Sequence, residues 1–476
     1  MKLFELLGEK SGRFSEVLIN GVTNNSAAVG EGFAFVCIKG VSKDGHDFAA
    51  DAVKKGAAVV IVSKDLGLEN QIIVQDTRKT YALMCAKWFG EPAKKLKMLG
   101  VTGTNGKTSV SYMLKAILEK AGHKAGLIGT IQNMIGDEII SAKNTTPDAY
   151  SLHEMLSQMV AAGCDYCVME VSSHALDQDR VYGVEYEIAM FTNLTQDHLD
   201  YHKTMENYCR AKRRLFEQCR VAVVNFDDKH MHELTEGLDC RIVTYSAESD
   251  ESTYTAKEIT YRPDGIMYHF VGYNLINRIK MSTGGKFSVY NSMCAISAAA
   301  ELGIPLSVSA EAIASIKGVK GRAEVVPTGR DFTVIIDYAH TPDGLQNILQ
   351  TFKEFEKTRL IAVFGCGGDR DKTKRPKMGK IAAQIADYVI VTSDNPRTED
   401  PVAIIDDILE GMKDCKTPYE VIPDRITAIN FAIQNAKKDD IIVLAGKGHE
   451  TYQILKDRTI HLDEREVVAD ALASLK

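Results

Sequence analysis

At 476 residues, with 45% hydrophobic and 25% charged side chains, the chain has an ordinary globular composition and is too long for one core; domains of about 100 to 200 residues suggest roughly three. Lys plus Arg number 57 against 64 Asp plus Glu, a formal charge of -7, which argues against a protein built mainly to grip nucleic acid or an anionic membrane. No stretch approaches the ~18 apolar residues of a membrane span, the amino-terminal run Met1 to Gly8 lacks the features of a secretory signal, and ten cysteines lie scattered. A cytoplasmic protein with reduced thiols is expected. Cys164 and Cys167 form a C-x-x-C, but no second pair stands at zinc spacing, and the apolar run that Cys167 opens reads as buried free thiol.

Residues 1–95 alternate β-like and helical runs. Phe33–Ile38, Ala57–Val62 and Gln71–Gln75 read as strands, and Phe48–Lys55 and Thr80–Phe89 as helices, a small α/β module. Gly90–Lys97, charged and bearing both glycine and proline, reads as a linker.

The run from Leu99 to Thr108 reads as a buried strand, a glycine-rich turn and a helix start. Val110, Met113, Leu114, Ile117 and Leu118 then repeat on a 3.6-residue period. Such a turn, built from Gly103, Thr104, Asn105 and Gly106, aims backbone N–H groups and the positive helix end at one point, where Lys107 adds a charge. That point suits a triphosphate, with the Thr108 hydroxyl offered to magnesium. The match is to a shortened P-loop, because Val101 stands where the usual first glycine would be.

A βαβ series continues through Gly126–Gly129, Val168–Val171, Ile188–Phe191 and Val221–Val224, and between Tyr254 and Ser288 the texture turns antiparallel. Ligands of open α/β sheets bind beyond the carboxyl ends of strands. There stand Glu170-Val-Ser-Ser-His174, followed by Gln178 and Arg180, and Asp197-His198. Glu170 and His198 are candidate magnesium ligands, Glu170 the stronger because magnesium prefers oxygen. Lys212, among Arg210, Arg213 and Arg214, reads from composition as part of a solvated basic face.

A third series starts near Asp331, with strands at Val334–Ile336, Leu360–Phe364, Tyr388–Val391 and Ile441–Leu444, and forms a second doubly wound unit. After its strands come Gly365–Lys372 with Arg370, then Asp394-Asn395-Pro396-Arg397, then Gly446-Lys-Gly-His-Glu450. An arginine fork suits a carboxylate and Glu450 an ammonium, so a zwitterionic ligand fits.

Taken together, Gly103–Thr108, Asn144-Thr145-Thr146-Pro-Asp148, Glu170–His174, Asp197–His202, Asp337–Asp343 and Asp394–Arg397 resemble the Mur ligases, which build the peptidoglycan stem peptide. The likeness runs the length of the chain, through Gly446–Gln453 to Asp463–Val467. It implies a three-domain α/β architecture: residues 1–95 binding the UDP substrate, 96–328 a central P-loop ATPase-type domain, and 329–476 a Rossmann-like domain bringing the amino acid. Lys107, Glu170, His198 and Lys212 become the catalytic set. Lys212 falls at the family's carbamylated lysine, which overturns the solvated reading and makes it a magnesium ligand beside Thr108, Glu170 and His198.

The resemblance also implies that Gly103 to Ser109, Asn291, Arg322, Asp337 and His340 hold ATP. Ser26, Asn144, Thr145, Thr146, Ser172, Gln178 and Arg180 would hold UDP-N-acetylmuramoyl-L-alanyl-D-glutamate. Arg370, Asp394, Asn395, Pro396, Arg397, Gly446 and Glu450 would hold meso-diaminopimelate, since lysine-adding members usually lack the arginine. Two departures stand out. Thr23-Asn24-Asn25-Ser26 lacks the family's uridine-loop arginine, and Phe287-Ser288 replaces the Phe-Asn expected ahead of Asn291. Cytoplasmic peptidoglycan-precursor synthesis by a monomer that closes over ATP and forms an acyl phosphate is the implied function. A lysine-adding enzyme, a folylpolyglutamate-synthase-like ligase and a non-catalytic nucleotide switch are the alternatives.

Overall fold

The computed structural model describes residues 1–40, 43–262, 265–353 and 359–475. Among the described residues three large sheets follow one another along the chain, and a two-stranded one, Tyr452–Ile454 with Thr459–His461, stands near its end. In the first, Gly21–Thr23, Phe33–Val36, Val59–Val62 and Gln71–Ile73 lie side by side in chain order, all parallel. Val59–Val62 is buried at every position, as a strand covered on both faces requires. The helix Thr77–Trp88 begins where Asp76 accepts from the backbone N–H groups of Arg78 and Lys79 at 2.9 and 3.1 Å. The expected linker is short and ordered: Glu91 takes a left-handed backbone, and a single turn over Pro92–Lys95 leads into the next strand.

The central sheet has eleven strands. Its parallel middle runs Arg241–Ser246, Cys219–Asn225, Tyr186–Phe191, Lys97–Thr102, Tyr166–Glu170 and Ala125–Ile128. The antiparallel addition expected after Tyr254 is present as Tyr254–Arg262, Gly265–Gly272 and Leu275–Met281, although its first strand joins the sheet parallel. A hairpin of Gln132–Ile135 and Glu138–Ser141 closes the other edge. Helices Lys107–Lys120 and Lys286–Glu301 cover one face, where Val110, Leu114, Ile117 and Leu118 are wholly buried. A side chain of that kind contributes roughly 1.5–3 kcal/mol on burial.

The third sheet is ordered Glu324–Val326, Thr333–Asp337, Ile441–Ala445, Leu360–Phe364, Tyr388–Val391 and Tyr419–Val421, parallel except for its first strand. The sheet thus begins ahead of residue 329: Glu324–Val326 pairs antiparallel with Thr333–Asp337 and shields that edge. Pro342–Lys353, Lys374–Ile385 and Pro401–Glu410 pack on one face, and Arg425–Gln434 and Glu464–Ser474 on the other. Among the described residues no helix is long and apolar enough to cross a membrane.

Candidate functional site

The strand Lys97–Thr102 ends at the phosphate loop. Gly103 and Gly106 both carry positive φ, 148° and 88°. A Cβ at Gly103 would stand 1.9 Å from the Thr192 hydroxyl, and one at Gly106 would stand 2.3 Å from Asn291 Oδ1. Only glycine satisfies both demands. Lys107 folds back and donates to the carbonyls of Gly103 and Thr104 at 2.9 and 2.8 Å.

Lys212 reaches the same Gly103 carbonyl at 2.8 Å and is only 1% exposed, so the basic-face reading fails. Its helix, Met205–Arg213, turns the lysine inward beneath the loop while Arg210 stays in solvent. Burial first, then the Lys107 charge, pushes the Lys212 pKa well below its ordinary value. Lys107 is lowered too, again by burial first.

Glu170 is fully buried at the end of its strand. Its Oε2 accepts from the hydroxyls of Thr108 and Thr130 at 3.0 and 2.9 Å, and its Oε1 from the Thr130 N–H at 2.9 Å. A buried carboxylate beside a loop threonine is an oxygen donor set of the kind magnesium selects. Lys212 suits a cation only as a carbamate, and a depressed amine is the form that reacts with carbon dioxide. His198 adopts a left-handed backbone with φ of 56° and packs edge-on against His174 at 4.8 Å. Burial pushes its imidazole pKa down, leaving the neutral ring a metal prefers.

Thr145, Thr146, Ser172, Gln178 and Arg180 come together beside Glu170. Thr145 and Thr130 share a hydroxyl contact at 3.0 Å, and Thr146 donates to the Glu170 carbonyl at 2.9 Å. The Ser172 N–H donates to Thr146 Oγ1 at 3.0 Å. Arg180 donates to the Thr146 carbonyl at 3.0 Å and to Gln178 Oε1 at 2.7 Å. Asn144 is exposed at the start of this segment. Ser26 lies apart on a loop of the first sheet, its carbonyl accepting from Lys55 Nζ at 2.7 Å.

Between the second and third sheets lies a cavity of about 310 Å³, lined by Asn105, Gly106, Ser109 and Asn291 from one side and by Asp337, Tyr338 and Asp343 from the other. Arg322 spans it, donating to the Thr108 hydroxyl at 3.1 Å and stacking on the Tyr338 ring at 4.6 Å. Asn105 donates to Asp343 Oδ2 at 2.8 Å. His340 lies 3.7 Å from Asp197 Oδ2, and Lys374 lies 3.6 Å from Asp197 Oδ1. Burial alone would raise the Asp197 carboxyl, but Lys374, His198 and His340 hold it well below the usual carboxylate range.

Beyond the carboxyl ends of the third sheet's strands a polar cluster forms. Asn395 donates to Glu450 Oε2 at 2.9 Å, and Lys447, fully buried, reaches the same oxygen at 2.8 Å. A Cβ at Gly446 would stand 2.5 Å from Asp394 Oδ2. Arg397, at φ 52°, donates to the Gly368 carbonyl at 2.8 Å. Burial and the neighbouring Arg370 lower its pKa. Arg370 itself is exposed. Arg370 donates to the Asp369 carbonyl at 2.8 Å, and Arg397 also to the Asn395 carbonyl at 3.4 Å. Lys447 and Thr130, alone in loops, and Lys374, at the first position of a helix, carry no periodic signal in the sequence.

A phosphate loop that faces a second α/β unit across a polar cavity defines a nucleotide-dependent enzyme built from separate domains. Residues 101–299 match the Mur ligase middle domain, 321–448 the Mur ligase glutamate ligase domain, and 18–86 the Mur ligase family catalytic domain. The chain belongs to the Mur ligase family and is an ATP-dependent ligase. It is 47% identical over 467 residues to the UDP-N-acetylmuramoyl-L-alanyl-D-glutamate--2,6-diaminopimelate ligase of Clostridium perfringens, covering 96% of each chain. To the ligase of the same name from Caldanaerobacter subterraneus it is 48% identical, over 96% of this chain and 95% of the other. A solved structure of a ligase of that name superposes with a TM-score of 0.72 at 32% identity, covering 100% of this chain and 99% of that one.

Proposed function

We propose that the chain joins meso-diaminopimelate to UDP-N-acetylmuramoyl-L-alanyl-D-glutamate at the expense of ATP. The observation that carries the choice of amino acid is Arg397, which holds only carbonyls of its own loops and so has its charge free for a second carboxylate. L-Lysine lacks that carboxylate. Asn395, Lys447 and Glu450 form the neighbouring polar wall, suited to an ammonium and its own carboxylate.

In this reading the D-glutamyl carboxylate attacks the γ-phosphorus of ATP and ADP leaves, giving an acyl phosphate. The diaminopimelate amine then attacks the acyl carbon, inorganic phosphate departs and the amine loses a proton, leaving the amide. Gly103 to Ser109 hold the phosphates on backbone N–H groups, and Lys107 moves from its own loop carbonyls to the transferring group. Arg180 and its neighbours Thr145, Thr146, Ser172 and Gln178 orient the dipeptide, while Ser26 and Asn144 lie on its way to the nucleotide sugar. Asn291 and Asp337, which line the cavity, and His340, which follows Ala339 of that lining, would stand beside the nucleotide. Magnesium, when bound, neutralises phosphate charge; Thr108, Glu170, His198 and Lys212, carbamylated, would hold it. Orientation of the reacting atoms supplies most of the remaining rate. The reading includes a cytoplasmic monomer, which the ten free thiols suit.

The test is phosphate release and product mass with ATP, magnesium and the UDP-linked dipeptide, offering meso-diaminopimelate and L-lysine separately. Turnover with diaminopimelate alone is expected. Preference for lysine would overturn the pocket assignment, and silence with both would overturn the substrate assignment.

A further inference from the structure

In the run Asp463-Glu464-Arg465, at the start of the last helix, Arg465 bonds the backbone of the loop Gly446–Glu450 directly and Glu464 reaches it through Arg425. Glu464 is wholly buried and accepts from Arg425 Nε at 2.8 Å. Arg425, also wholly buried, places Nη2 2.7 Å from the same Glu464 oxygen and turns both terminal nitrogens to backbone carbonyls as well. One donates to the Ala445 carbonyl at 2.9 Å and the other to the Ser393 carbonyl at 3.3 Å. These are the residues immediately before Gly446 and Asp394.

The strands that end there, Ile441–Ala445 and Tyr388–Val391, are not neighbours, since Leu360–Phe364 lies between them. No sheet hydrogen bond can therefore fix the spacing of the two loops. Side chains tie them instead: Asn395 and Lys447 meet at Glu450, Gln453 donates to the Asp394 carbonyl at 2.6 Å, and Arg425 spans the gap beneath them. Arg465 adds a second tie, donating to the Gly448 carbonyl at 3.1 Å and bonding Glu324 with two nitrogens, while Glu324 accepts from the Gly321 N–H at 2.6 Å. The loop bearing Gly446, Gly448 and Glu450 is thus held at Ala445 through Arg425 and at Gly448 by Arg465.

We propose that Arg425 is a positioning residue for the amino-acid pocket, with Glu464 as its anchor. The inference rests on the assignment of Asp394–Arg397 and Gly446–Glu450 to that pocket. A rigid planar fork can serve three acceptors in fixed directions, and a lysine ammonium at the end of a flexible stem cannot reach both carbonyls and Glu464. The geometry of the two loops sets the separation of Asn395 and Arg397 from Glu450, and hence the fit of the amino acid. It does not touch Lys107 or the dipeptide group.

The experiment compares wild type, Arg425→Lys and Glu464→Gln in steady-state kinetics with each reactant varied in turn. Arg425→Lys is expected to raise the KM for meso-diaminopimelate at least tenfold and to leave the KM values for ATP and the UDP-linked dipeptide within twofold. Glu464→Gln, which keeps an acceptor for Nε but removes the charge, is expected to fall between the two proteins. Amide exchange should quicken at Gly446–Glu450 and Asn395 in Arg425→Lys and stay unchanged at Gly103–Thr108. Equal rises in all three KM values, or an unchanged diaminopimelate KM, would overturn the proposal. Should Arg425→Lys not fold, Glu464→Gln with an unchanged diaminopimelate KM would do the same. A wild type that ignores diaminopimelate would instead overturn the substrate assignment, leaving the exchange pattern to judge Arg425.

Discussion

Arg397→Ala separates the two carboxylates of diaminopimelate energetically. In the structure the Arg397 guanidinium is half-buried, beside Arg370, and donates to the carbonyls of Gly368 and Asn395 at 2.8 and 3.4 Å. Breaking a buried charge pair by removing one partner costs about 3–5 kcal/mol. Partial solvent access reduces that to roughly 2–3 kcal/mol, or about 30- to 150-fold in kcat/KM. The assay is a two-by-two comparison: wild type and Arg397→Ala, each with meso-diaminopimelate and with L-lysine. Diaminopimelate should lose the full factor, while the slow reaction with lysine, which has no carboxylate to pair there, should change by less than threefold. An equal loss with both amino acids would refute the reasoning, because it would mean that Arg397 shapes the loop and does not bind the distal carboxylate.

Lys212→Ala should cut turnover on the order of a hundredfold or more, the scale seen when support of a metal is lost. Wild-type activity should fall when bicarbonate is stripped from the buffer and return when it is restored, measured by phosphate release. Indifference to bicarbonate would remove the carbamate. On stability, Arg375 holds the Glu399 carboxyl at about 2, so the folded state binds fewer protons there than the unfolded one. That contribution is complete above about pH 4.5 and is lost as the pH falls towards 2. Glu399→Gln should therefore flatten the acid limb of the stability curve in urea titrations between those values, and an unaltered limb would count against the pairing.

The alternation of short apolar runs with amphipathic helices made the first and third sheets legible, because a strand buried on both faces, such as Val59–Val62 or Leu360–Phe364, reads as an unbroken apolar stretch. The strands that escaped notice are those with a polar face or an edge position. Gln132–Ile135 and Glu138–Ser141 form a hairpin whose outer strand is largely exposed, and Glu324–Val326 shields a sheet edge. Lys212 shows a different limit. Its neighbours Arg210, Arg213 and Arg214 give the helix a basic character, and nothing in their spacing tells which of four cations turns inward; only the resemblance marked it, and the Gly103 carbonyl shows where it goes. Lys447 stands inside a legible motif, but its partner Asn395 lies far away in the chain, so the sequence alone assigns it no contact.

The Asn105 amide that bonds Asp343, and the Arg322 guanidinium that bonds Thr108, tie the phosphate loop to the third sheet and its approach. Loop occupancy and domain docking are therefore two readings of a single equilibrium. Whatever factor docking adds to nucleotide affinity, the nucleotide adds to docking, because the coupling between two binding events is reciprocal. The same tie acts against departure: ADP held in the cavity is retained by both walls, and it leaves only as fast as the walls part. In the proposed reaction such a seam would shelter the acyl phosphate from water, and domain opening is the step expected to limit turnover.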